Sequence, residues 1–397
     1  MNPLGIKAFD ADNHYYEALD AFTRHLDPAM RKRGMQWAEI DGKAALLVGG
    51  KVNRFIPNPT FHPVSKPGAL DQYFRGRQAA GRLRDIFGEL DPISPAYRDR
   101  DARLAVMDAQ DVEGAFYFPT LGVGMEQALI HDPEALVAAF HAFNVWLDED
   151  WGYHYRERIF AAPMISLVDP YAAELELEHV LERDARVVLL GIGPILTPSG
   201  GVSPGDRVYD PFWARVNEAG ITVVYHGGDS AYTRYMADWG ESTEFESFRT
   251  TPLRRLLSPE PVQDSLAALL AYGVLTRFPN LRVAAIETGS QWVPHLFQRL
   301  KKSWAQTPDA YAEDPRETLR RQVWVSPFYE DDLRGLAELI GVDHILMGSD
   351  WPHAEVLAEP VAYQRDLEAA GFTADECRLV MRDNGLGLSR PRFRVAA

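Results

Sequence analysis

Along this chain, short apolar runs rich in β-branched and aromatic residues alternate with longer stretches whose apolar positions recur every three or four residues. The first pattern is that of a buried strand, the second that of an amphipathic helix. Eight strand-like runs stand out, at residues 6–11, 114–118, 160–167, 187–192, 221–225, 281–286, 323–326 and 345–347, and helical patterns such as 132–158, 211–219 and 290–303 lie between most of them. Strands alternating with helices predict a parallel sheet with helices packed outside. Eight of them are what a closed (βα)8 TIM barrel requires. Residues 1–397 therefore read as a single α/β barrel domain.

Some stretches break the repeat and read as additions to it. Residues 35–56 predict a hairpin, because WAEI and ALLV flank a turn at Asp41-Gly42 and the run closes at Gly49-Gly50. It opens an inserted segment over about 35–100, and the Pro-rich stretch 57–95 with the loops 197–210 and 227–261 is expected to rise over the C-terminal face of the barrel as lid and substrate wall.

Composition narrows the function. A formal charge of -16 with a pI near 5.2 argues against nucleic acid, which needs a concentrated basic surface. The N-terminal MNPLGIKAFDADNHYYE lacks a basic-then-apolar leader pattern, and no apolar run is long enough to span a bilayer. These features predict a cytoplasmic protein with a small-molecule substrate and neither nucleic acid nor membrane as partner; a homo-oligomer is left open. Cys377, the one cysteine, reads as an inert thiol. No Walker loop or dinucleotide fingerprint occurs between a strand and a helix, so no nucleotide cofactor is expected.

The candidate chemistry lies where strands end. The first run leads into Asp10-Ala11-Asp12-Asn13-His14, and alternation of side chains would turn Asp10, Asp12 and His14 the same way. His226 follows ITVVY, Glu287 follows LRVAAI, and Asp350 ends ILMGSD. Taken singly, each is as readily a turn residue, a helix cap or a structural histidine. Together they place Asp/His, His, Glu and Asp at four strand ends, the face at which barrel enzymes keep their catalytic groups. Metal ligation by Asp12, His14, His226, Glu287 and Asp350 is the common reading, with Asp350 and Glu287 the catalytic candidates.

The motifs FDADNH, VVYHGG, FPNLRVAAIETG and LMGSDWPH, in this order and spacing, resemble the amidohydrolase superfamily, and within it the amidohydrolase-2 branch of decarboxylases and hydrolases on a (βα)8 barrel. The resemblance implies that Asp12 and His14 stand where the family has its paired HxH ligands, His226 on the fifth-strand histidine, and Asp350 on the eighth-strand aspartate that binds metal or activates water. Three features depart from the pattern: Asp12 replaces a histidine, Glu287 stands where many members carry one, and RVVLLGIG offers no lysine to form a bridging carbamate.

Hard oxygen donors in place of imidazole shift preference from zinc toward iron or manganese. His295, on the first helical turn after Glu287, completes a set of three carboxylates and three histidines able to hold two metals around a bridging acid. On this ground the chain resembles the non-heme diiron monooxygenases among amidohydrolase-like barrels, which implies two iron ions, an apolar substrate of some size and an external electron donor. The alternative is one zinc or manganese ion in a hydrolase or non-oxidative decarboxylase acting on a carboxylate or acyl substrate, with Asp350 as general base or proton shuttle. His353 is a candidate to orient a ligand. Tyr15, Tyr16 and Trp292 read as packing, and Arg75, Arg77, Arg82 and Arg84 as a solvated run able to meet an anionic handle.

Overall fold

In the computed structural model, residues 5–75, 89–242, 251–257, 260–355 and 357–392 are described. The eight apolar runs close into a barrel. The first strand, Ala8–Tyr15, pairs in parallel with the second, Val112–Pro119, which pairs with the third at Ile159–Ala161. Pro163 supplies no N–H, and the third strand resumes at Met164–Ile165 to pair with the fourth, Val187–Leu190. The fifth, Thr222–His226, the sixth, Arg282–Ile286, and the seventh, Val323–Val325, follow in parallel register.

Residues 345–347 close the ring with little ladder of their own. Ile345 bridges to Val325, Leu346 N donates to Val325 O at 2.9 Å, Ala11 N donates to Met347 O at 2.8 Å and Asp350 N donates to Asp12 O at 2.8 Å. Every residue of the fifth and sixth strands is buried, as expected where helices cover the sheet's outer face.

The helices form where the periodicity places them, with shifted ends. The pattern over 132–158 becomes Pro133–Asp150, capped by Asp132, whose side chain accepts from Ala135 N. Those over 211–219 and 290–303 become Asp210–Ala219 and Trp292–Gln306. Among the described residues no helix is long and apolar enough to cross a membrane.

The inserted segment opens as read. Met35–Ile40 and Lys43–Val48 pair antiparallel, and the turn residues Asp41 and Gly42 take φ of 51° and 73°, the left-handed pair of a two-residue hairpin. A second turn at Gly49-Gly50 adds Lys51–Val52 as a third strand. The loop expected over 197–210 instead contains a short hairpin, Ile195–Thr197 against Gly200–Val202. Arg75 is held by Asp71 and Asp366 over the Tyr329 ring, so it is a packed ion pair rather than a solvated charge. Arg77, Arg82 and Arg84 lie outside the described residues, as do parts of the expected lid stretches 57–95 and 227–261.

Candidate metal centre

The first strand carries two donors, and a bulge decides which. Asp10 pairs with Ala115 and Asn13 with Tyr117, so three steps on one strand face two on the other and the simple alternation fails. The expectation that Asp10 would join Asp12 and His14 is thereby corrected. Asp10 spends its carboxylate on Asn13 Nδ2 at 2.8 Å and on Ser349, whose Oγ donates at 2.6 Å and whose N donates at 2.9 Å. Burial pushes the Asp10 carboxyl up to about 6 against those hydrogen bonds.

Asp12, His14 and His226 are brought together, each offering a ligand atom within 4.8 Å of the others; His14, Asp350 and His353 form an overlapping set. His14 Nε2 stands 3.4 Å from Asp12 Oδ1 and 3.2 Å from Asp350 Oδ1, yet neither buried ring nitrogen makes a hydrogen bond. Burial, and then the neighbouring His353, lower its pKa to about 3, so the imidazole is neutral with a lone pair to give. Burial raises the Asp12 carboxyl, but the adjacent His14 and His226 outweigh it and hold Asp12 well below the usual carboxylate range.

His226 shows that this spot calls for positive charge. Its Nδ1 lies 2.7 Å from Gly227 O, and because a carbonyl only accepts, that nitrogen carries the hydrogen. A neutral His226 then turns the lone pair of Nε2 toward Asp12 Oδ1, 3.2 Å away. Two lone pairs face each other there only with a cation between them or a second proton on the ring. Burial opposes a charge on His226, but Glu287 and Asp12 outweigh burial and raise its pKa. In the metal-free chain a second ring proton meets that demand; a divalent ion would replace it, since the Asp12 carboxylate, the neutral His14 and His226 already converge.

Glu287 and Asp350 follow the sixth and eighth strands with φ of 53° and 52°. A side chain in that region costs about 1–3 kcal/mol and persists where its surroundings dictate it. Burial, with Asp350 nearby, pushes the Glu287 carboxyl up to about 8. Burial and the Asp12 charge raise Asp350 well above the carboxylate range. Glu287 Oε2 is 3.3 Å from His226 Nδ1. His353, which sequence could place only as a neighbour of Asp350, packs at a tilt against His14 with ring centroids 4.2 Å apart and puts Nδ1 2.5 Å from Asp350 Oδ1.

The far side of His353 fixes its protons. Thr120 Oγ donates to Tyr15 O at 2.9 Å and so has only acceptor capacity left for His353 Nε2 at 3.0 Å. Nε2 therefore holds a hydrogen, and the Asp350–His353 contact shares one proton more. Thr120 was not foreseen, although it follows the second strand's end as the other site residues follow theirs. His295 is not at the site. It is exposed on the outer side of the helix Trp292–Gln306 and accepts from Arg299 Nε at 3.1 Å, so the expected sixth donor is absent from the cluster.

Two spaces adjoin these residues. A cavity of about 640 Å³ meets His14, Thr120, Glu287, Asp350 and His353, and its opposite wall is the inserted segment, through Phe55, Ile56, Phe61, Val64 and Leu90. A smaller one of about 30 Å³, against Asp12, Glu287, Asp350 and Tyr363, has room for a water molecule.

Residues 62–386 match the sequence model of the amidohydrolase family. The chain belongs to the amidohydrolase family. Its structure is similar to that of an amidohydrolase of Mycobacterium avium subsp. paratuberculosis K-10, at 46% identity and a TM-score of 0.91, over 97% of this chain and 100% of that one. The fold, at lower identity, is also that of 2,6-dihydroxybenzoate decarboxylase from Rhizobium, at 19% identity and TM-score 0.59 over 83% of this chain and 96% of that one. A third structure of like fold, 5-carboxyvanillate decarboxylase of Novosphingobium aromaticivorans DSM 12444 with bound manganese, aligns at 13% identity and TM-score 0.58 over 98% of this chain and 97% of that one. No curated protein matches the chain.

Proposed function

We propose that this amidohydrolase is a one-metal, non-oxidative decarboxylase of an apolar carboxylic acid, with Asp12, His14, His226 and Asp350 holding a manganese or zinc ion. The observation that carries the proposal is His14: a neutral, buried imidazole with no hydrogen bond on either nitrogen, flanked by carboxylate oxygens at 3.2 and 3.4 Å. The bound ion supplies Lewis acidity toward a substrate carboxylate or carbonyl.

The chain's own groups do the rest. The apolar wall of Phe55, Ile56, Phe61 and Val64 takes the hydrocarbon body of the substrate and excludes water from it. Glu287 borders the same cavity, and burial with Asp350 nearby raises its carboxyl in the metal-free chain, which suits it to hold a proton there. When the bond to the carboxylate breaks and CO2 leaves, the electron pair left on carbon takes that proton from Glu287. Asp350 and His353, which border the same cavity, share a further proton, with Thr120 holding the far side of His353. The like-folded decarboxylases of aromatic acids, one of them with manganese, support the reading.

Hydrolysis of an acyl bond is a second reading, favoured by the small cavity beside Asp12, Glu287 and Asp350, where Asp350 and His353 could deprotonate a water. The two-iron monooxygenase expected from the sequence is not carried forward. His295 is turned away from the site, and the two candidate ligand sets share His14.

The test is anaerobic. Protein loaded with manganese or zinc should hold one ion per chain at the strand-end centre, located by anomalous scattering, and release CO2 from members of a panel of substituted aromatic carboxylic acids without oxygen. Two irons per chain together with oxygen-dependent product would overturn it.

A further inference from the structure

The helices outside the barrel carry a second group of donors. His141 lies on the helix Pro133–Asp150, and Glu176 and His179 lie on Pro170–Leu181, three residues apart and so on one helical face. One ligand atom from each falls within 4.8 Å of the others. We propose that His141, Glu176 and His179 form a second, independent site for a zinc-type divalent ion, tying these two outer helices together.

Three observations carry this. Glu176 is oriented in advance: its Oε1 accepts from Asn144 Nδ2 at 2.7 Å, and Asn144, fully buried, also grips Met164 O and N at 2.8 and 2.9 Å. The other oxygen, Oε2, is thereby presented to His141 Nδ1 at 2.8 Å. His179, the third residue of the cluster, has a buried Nε2 with no hydrogen-bond partner. Two imidazoles and one carboxylate are borderline donors that suit zinc and its neighbours rather than calcium or magnesium.

Arg183 is the opposing feature. Its Nη1 stands 3.2 Å from His179 Nδ1 and donates to His179 O at 2.9 Å. The side chain is 41% exposed and its Nε lies 3.5 Å from Asp148 Oδ2, so it can turn to Asp148 while the proton on His179 moves from Nε2 to Nδ1 and frees Nε2 for the ion. None of the three donors borders the large cavity, and the site is separate from the strand-end centre.

Full-length protein saturated with zinc and passed by gel filtration into zinc-free buffer tests the proposal. Wild type should retain two equivalents, and His141→Ala and His179→Gln one each, with turnover at the strand-end site unchanged. His14→Ala should also retain one equivalent, still located at the outer helices by anomalous scattering from a zinc-soaked crystal. The His141 side chain is 49% exposed, so its removal leaves the fold intact, which melting curves verify. Retention of two equivalents by either helix variant, or a wild type without zinc density between the helices, refutes the site.

Discussion

Arg103 donates through Nη2 to the main-chain carbonyl of His14 at 2.9 Å. The same guanidinium reaches Asn13 Oδ1 at 2.5 Å and Ala96 O at 2.6 Å and lies over the Trp351 ring, 4.4 Å from its centroid. Asn13 passes the contact on to Asp10, so a fully buried cation and a buried acid clamp the strand that presents Asp12 and His14.

Arg103→Lys should therefore disturb both stability and the site. A lysine keeps the charge but cannot serve acceptors in the plane of a fork. Leaving buried carbonyls unsatisfied costs about 1–3 kcal/mol each, and we expect a loss of about 3 kcal/mol in denaturant unfolding with a matching drop in metal content. Wild-type stability together with full metal content would show that the clamp is dispensable.

His14→Ala separates the centre from the fold. The imidazole makes no hydrogen bond, so its loss should leave circular dichroism unchanged while metal affinity falls by more than the about 10- to 100-fold typical of an outer hydrogen-bonding partner. His226→Ala and Asp350→Ala should behave alike. Full metal occupancy in all three variants would dismiss the centre.

Thr120→Val keeps the volume and removes the acceptor that fixes His353. Turnover should fall about 10-fold or more, and the lost donor to Tyr15 O should cost about 1–3 kcal/mol in denaturant unfolding. An unaltered kcat would remove Thr120 from the proton chain.

Glu287→Gln tests the raised carboxyl. A folded-state pKa of about 8 against a usual 4.5 means that, as pH rises through this window, the unfolded metal-free chain releases a proton that the folded one keeps, and folding weakens. The metal-free Gln variant, which has no such proton, should be the more stable protein at pH 7–8, with the advantage vanishing below pH 4. The one-ion reading expects the count at the strand-end centre to stay at one and turnover to be lost; a fall from two to one at that centre would restore the dinuclear reading.

Gly348→Ala probes packing behind the ligands. A Cβ there would fall 2.6 Å from both Asp12 Cβ and Ser326 Oγ, far inside contact distance. Asp12 must move, so metal content and activity should fall together while the helices survive by circular dichroism.

What the sequence by itself determined is what local periodicity encodes. Strand runs are apolar because they are covered on both faces, helices repeat every three to four residues because one side is buried, and Asp41-Gly42 marks a turn because few residues tolerate its dihedrals. The barrel, the hairpin and the strand-end residues Asp12, His14, His226, Glu287 and Asp350 were legible for that reason. The tertiary structure alone decided matters set by register and by the side of an element a residue faces. A bulge between Asp10 and Asn13 turned Asp10 from the site, helical phase carried His295 to the outside, and a turn after Asp350 brought His353 onto His14. Arg103 carries no motif that singles it out, although it shares the buried stripe of Leu104 and Met107. Its acceptors lie on a distant strand and loop, and no local pattern records which carbonyls the closed barrel will bring to a buried guanidinium.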